Sequence, residues 1–198
     1  MSYLSFTPFP ETIFGVGSIS VLGEKAKALG GIKALLVFGP HVEAAGIPAK
    51  AIKSLEEAGL EYVCFNGVRP DPPVEVVDAA VEVGLAAGAD IVIGIGGGSS
   101  MDTAKCASIM LSGFEGPASK WVLAVPPMVN TTCPVILVPT TGGTGSEVTR
   151  VAVITRPDFN AKWSVFVNTN LAIVDPELML TLPAEHTACT GYNNHFVF

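Results

Sequence analysis

The run Gly96-Gly97-Gly98-Ser99-Ser100-Met101-Asp102-Thr103-Ala104-Lys105 follows directly on a compact apolar stretch, Ala89-Asp90-Ile91-Val92-Ile93-Gly94-Ile95. Such a stretch, closed by glycines and opening into helical sequence, predicts a buried parallel strand that turns sharply into a helix. Without side chains at the turn, backbone N–H groups can approach an anion, and the helix N-terminus adds roughly half a positive charge. A plain helix-capping turn would use the same glycines. A second loop of the same kind favours the phosphate reading: Pro139-Thr140-Thr141-Gly142-Gly143-Thr144-Gly145-Ser146-Glu147 follows the apolar run Val135-Ile136-Leu137-Val138. Paired loops of this type at strand ends point to a nucleotide site rather than to unrelated turns.

The same alternation runs through the chain. Strands are predicted at Lys33–Phe38, Glu61–Phe65 and Ile91–Ile95, and helices at Glu24–Leu29, Ile47–Gly59, Val74–Gly88 and Ser100–Leu111. Alternating strands and helices specify an α/β fold with a doubly wound parallel sheet, which binds ligands beyond the carboxyl ends of its strands. The opening segment, Ser5 to Leu22, predicts short strands or a β-hairpin. Val151–Thr155 and Lys162–Val167 predict a further hairpin around Pro157-Asp158, and Pro183 marks the first turn of a final helix.

With 198 residues, 49% apolar and 15% charged, the chain can bury a large core and is not disordered. A net charge of −7 argues against nucleic acid or an anionic membrane as partner. Cys64, Cys106, Cys133 and Cys189 are scattered with no C-x-x-C pair, and the opening Met1–Pro8 has neither a basic start nor an apolar core. Free thiols and a cytoplasmic location are expected. No apolar run approaches the roughly 18–20 residues of a membrane helix.

Across residues 5 to about 191 these motifs resemble the iron-containing (group III) alcohol dehydrogenases. Beyond the glycine turn and the Thr-Thr-Gly-Gly-Thr-Gly-Ser-Glu loop, the match includes Phe9-Pro10 to Gly17, Ala172-Ile173-Val174-Asp175-Pro176-Glu177-Leu178, and Leu182-Pro183 to Thr190-Gly191. The second loop argues against the glycerol dehydrogenase and dehydroquinate synthase relatives. The resemblance implies a Rossmann-like nucleotide-binding domain over residues 1–182, with residues 183–198 the truncated start of an all-helical metal-binding domain. It implies hydride transfer between NAD(P)(H) and a small alcohol or aldehyde, in a homo-oligomer that uses Fe²⁺ or Zn²⁺ when intact. A cofactor-binding fragment without turnover, or half of a split enzyme, is the alternative.

The resemblance also implies roles. Gly96, Gly97, Gly98, Ser99 and Ser100 would meet the pyrophosphate, and Asp102 would lie near the nicotinamide. Thr140, Thr141, Thr144 and Ser146 would touch phosphates, ribose and nicotinamide, Lys162 the ribose, and Asp71 the adenosine. Lys162 could equally be an exposed hairpin lysine, and Lys105 reads as solvating a helix surface, a weaker candidate for the site. His41 and His186 read as surface or capping residues. The family's metal-binding Asp and His would fall at Asn193 and Val197, so no metal ligand is carried onto the chain, and no catalytic residue is assigned. The stretch from Leu178 to Val197 is expected to be apolar and to favour association.

Gly39 bears on the choice of cofactor. NAD-preferring relatives tend to have an Asp at this strand end, accepting from the ribose 2′-OH and repelling a 2′-phosphate. Val37-Phe38-Gly39-Pro40 holds no carboxylate, so NADP is favoured and NAD possible, although no arginine is evident nearby to reward the phosphate.

Overall fold

Long runs of Val, Ile and Leu without polar alternation form strands that are covered on both faces. In chain order the strands are Glu11–Phe14 (β1), Lys33–Val37 (β2), Glu61–Phe65 (β3), Ile91–Gly96 (β4), Met128–Val129 (β5), Val135–Pro139 (β6), Val151–Arg156 (β7), Ala161–Val167 (β8) and Leu171–Val174 (β9). The helices are Leu22–Ala28 (α1), Pro40–Ala44 (α2), Ile47–Glu57 (α3), Val74–Ala87 (α4), Gly98–Leu111 (α5) and Ala184–Asn193 (α6). The structure, a computed structural model, describes residues 10–123 and 128–193, with the side chains of residues 192 and 193 left out of account.

Among the described residues the main sheet has six parallel strands in the order β1-β9-β6-β4-β2-β3. Every residue of β4 and of β6 is buried, as expected for central strands. Side chains alternate between the faces, so neighbouring residues enter different cores. Leu35 packs with Val77, Val81 and Met101 on the side of α4 and α5, whereas Leu36 packs with Leu22, Ala26 and Leu55 on the side of α1 and α3. A smaller sheet, β5-β8-β7, contains the expected Val151/Lys162 hairpin as the antiparallel pair β7–β8.

The opening segment, expected to hold short strands or a hairpin, contributes the short strand β1 among the described residues. Residues 1–9 lie outside the described part, and β1 is the edge strand of the main sheet, parallel to β9 with Glu11 opposite Leu171. This long-range pairing is secured by Asp175, fully buried, whose carboxylate accepts from the backbone N–H groups of Gly17 (3.1 Å), Ile19 (3.2 Å) and Glu177 (3.1 Å). The apolar surface expected from Leu178 onward is also revised. Leu178 belongs to the core and Leu180 is 80% exposed, while α6 presents mainly small and polar residues. Asn194 to Phe198, including His195 and Val197, lie outside the described residues. Among the described residues no helix is long and apolar enough to cross a membrane.

The cysteines report on this packing. Cys106 and Cys133 are buried, whereas Cys64 and Cys189 are exposed. Burial raises both core thiols, that of Cys133 to about 12. A thiol reagent at pH 8 is therefore expected to modify two of the four cysteines in the native chain and the other two only after unfolding. Immediate reaction of all of them would contradict this core.

Candidate nucleotide-binding site

Strands β4 and β6 are neighbours, so both glycine loops leave the same end of the sheet side by side. Thr140 N–H donates to the Gly96 carbonyl (3.0 Å), joining the loops at their base. Gly96 has φ +144°, and an added Cβ would lie 2.6 Å from Ser100 Oγ, so this position requires glycine. Beyond it the two loops face each other closely. A Cβ on Gly97 would stand 3.2 Å from Thr141 Oγ1, and one on Gly98 would stand 3.2 Å from Thr144 Cγ2. No side chain caps the N-terminus of α5 among the described residues. Ser100 N–H donates to the Gly97 carbonyl (3.1 Å), while Gly98 and Ser99, the other residues of that turn, line the cleft, an arrangement suited to an anion.

The second loop is held by α5. Asp102 accepts from Ser146 Oγ (2.7 Å) and from Val153 N–H (3.0 Å). One turn further along, Lys105 Nζ donates to the carbonyls of Ser146 (2.6 Å), Val151 (2.8 Å) and Thr149 (3.1 Å), and to Ser146 Oγ (3.0 Å). Burial raises the Asp102 carboxyl and lowers the Lys105 ammonium, while each group's charge opposes the other's shift. Lys105 is 0% exposed, so it does not solvate a helix surface. The sequence carried a signal for this: Met101, Ala104, Cys106, Ala107 and Ile109 are buried on several sides of α5, which leaves no solvent face for a lysine.

Two cavities meet at this turn, sharing Gly98 and Ser99. One, of about 420 Å³, is lined by Asp71, Asp102, Thr144, Ser146 and Lys162. The other, of about 530 Å³, lies beside Gly39 and is lined by Gly97, Ser100, Thr140 and Thr141. Gly96 lines neither and acts through the backbone. Asp71, in a left-handed conformation (φ 51°), sits with Asp102 rather than with Gly39. Its carbonyl accepts from Thr155 Oγ1 (3.1 Å) and its carboxylate pairs with Lys162 Nζ (2.6 Å). Both side chains of that pair are exposed, so it adds little stability and leaves Lys162 available to a ligand. His41 and His186 are exposed and line the Gly39 cavity. Arg69, Thr149 and Thr155 also line the cleft and were not singled out from sequence. Among the described residues no group of three or more His, Cys, Asp or Glu could hold a metal.

Residues 10–176 match the family described as "Iron-containing alcohol dehydrogenase". The chain belongs to that family. Choline dehydrogenase of Bacillus subtilis (strain 168) is 41% identical over 182 residues, covering 89% of this chain and 45% of the relative. The NAD-dependent methanol dehydrogenase of Bacillus methanolicus is 36% identical over 185 residues, covering 92% of this chain and 48% of the relative. The crystal structure of a 1,3-propanediol oxidoreductase superposes with a TM-score of 0.87 at 34% identity, over 96% of this chain and 50% of that one. The chain thus spans about half the length of the iron-containing alcohol dehydrogenases it matches.

Replacing Lys105 by Met keeps the stem of the side chain but leaves the carbonyls of Ser146, Thr149 and Val151 without their donor. The expected loss is roughly 2–4 kcal/mol in denaturant unfolding, with faster proteolysis between Thr140 and Arg150. Unchanged stability and unchanged proteolysis would show that the loop holds its shape without the lysine.

Proposed function

We propose that this chain supplies the nicotinamide-dinucleotide site of an oxidoreductase that moves hydride between NAD(P)(H) and a small alcohol or aldehyde. The observation that supports this most is the pair of cavities joined at the uncapped turn of α5, which together suit a two-part molecule with a diphosphate at its middle. In this proposal the backbone of Gly97, Gly98 and Ser99 receives the pyrophosphate, with Ser100 beside it, because side chains on the two glycines would crowd the gap between the facing loops. Thr140 and Thr141 line the adenosine half with Gly39. Asp102, Thr144 and Ser146 line the nicotinamide half, where Lys162 reaches the ribose in exchange for Asp71. When bound, the cofactor supplies the hydride chemistry. The protein orients it and keeps its reactive face against the cleft.

A dinucleotide fits the residues present, since a Cβ on Gly97 or Gly98 would fill the gap through which the phosphates approach. A metal is different. No set of ligands for it is found among the described residues, so no step is assigned through one. We further propose that residues 183–193 begin the helical part that closes the cleft. NADP(H) is the favoured cofactor in this proposal, with NAD(H) possible, because no carboxylate stands at Gly39.

Fluorescence titration of the chain with NADH and NADPH tests the site. Saturable binding is expected, and Gly98→Ala should weaken it by about tenfold or more while leaving the unfolding midpoint nearly unchanged, because the methyl would stand in the phosphate approach. Absence of binding, or a Gly98→Ala variant that binds as well as the parent, would end this proposal.

A further inference from the structure

We infer that Arg69 reads the 2′-phosphate of NADP(H), at a position set by the same backbone contact that requires glycine at residue 39. This rests on the dinucleotide site proposed above and specifies how its adenosine end discriminates.

The inference begins with the backbone. Phe38 N–H donates to the Phe65 carbonyl (3.0 Å), and Val68 N–H donates to the Phe38 carbonyl (3.3 Å). The loop after β3 therefore runs alongside the end of β2. Its approach is so close that a Cβ at Gly39 would lie 2.8 Å from the Val68 carbonyl oxygen. An acidic side chain, the usual acceptor for a ribose 2′-OH at this strand end, cannot be installed without moving the loop. The next residue of that loop is Arg69, so the contact that excludes a carboxylate also brings a guanidinium to the cavity. The loop beyond is tied down by Thr155 N–H donating to the Pro72 carbonyl (2.9 Å).

The charges in the cavity agree. Among the described residues no Asp or Glu lines it, and the ionisable ones that do are Arg69, His41 and His186, in a chain whose net charge is −7. The cavity around Lys162 contains both Asp71 and Asp102. Arg69 is exposed and makes no hydrogen bond or ion pair among the described residues, so its donors are available to a ligand. Glu43, the acid of α2, accepts from Asn66 Nδ2 (2.8 Å) and does not line the cavity. An arginine free of protein partners on an acid-free wall suits a phosphate dianion better than a ribose hydroxyl.

The test is a titration of the full chain and of Arg69→Gln and Arg69→Lys with NADPH and NADH, at low and moderate salt. The parent is expected to bind NADPH about tenfold or more tightly than NADH, with the advantage shrinking as salt rises. Arg69→Gln should remove that advantage by weakening NADPH alone, and Arg69→Lys should retain part of it. Equal weakening of both cofactors, or none, would overturn the role of Arg69. A parent that binds NADH as tightly as NADPH would overturn it as well while leaving the dinucleotide site standing. A parent that binds neither would remove both.

Discussion

The cleft depends on the grip that α5 takes on the loop after β6. That loop contains Gly142, Gly143 and Gly145 and has little conformational preference of its own, so its shape must be imposed. Asp102 and Lys105 impose it through six hydrogen bonds to residues 146–153. Opposite charges buried together are favourable only when their hydrogen-bonding capacity is used, and here the carboxylate oxygens and the ammonium all have partners. Because the same helix begins with the glycine turn, one rigid element sets the position of both loops. The distance between the glycine turn and the hydroxyl-rich wall thus follows from the geometry of a single helix.

The sheet distributes charge around that helix. Acidic residues collect in the cavity with Lys162, while no acid among the described residues lines the cavity beside Gly39. For a molecule with a positively charged ring at one end and phosphates further along, this division sets a direction of binding. It would also reconcile a negatively charged chain with the anionic cofactor proposed for it, since backbone dipoles and one or two well-placed cations outweigh the global field.

Much of the fold was legible because buried parallel strands are continuous apolar runs. Strand β3 occupies the residues expected for it, and β4, β6, β7, β8 and α3 to α5 lie within a residue or two of expectation. What escaped was set by distance along the chain or by environment. The short helix α2 follows a Gly-Pro step that reads as a break. The pairing of β1 depends on a strand about 160 residues away, beyond the reach of local pattern. Lys105 has the chemistry of a surface residue, and only the burial of its whole helix shows that it belongs inside. Arg69 stands 30 positions after Gly39, and the two meet because β3 lies next to β2.

The edge pairing of β1 with β9 has a consequence for the order of assembly. Joining Glu11 to Leu171 closes a loop that contains nearly the whole domain, and its entropic penalty must be met before the contact contributes. During synthesis β2, β3 and β4 can pair as they emerge, but among the described residues β1 has no strand partner until β9 has been made. Its backbone groups then dock together with Gly17 and Ile19, whose N–H groups turn to Asp175 just beyond β9. The first of the described strands is thus the last of them to join the sheet, and the nascent protein carries an open edge at β6 until translation has passed the aspartate that closes it.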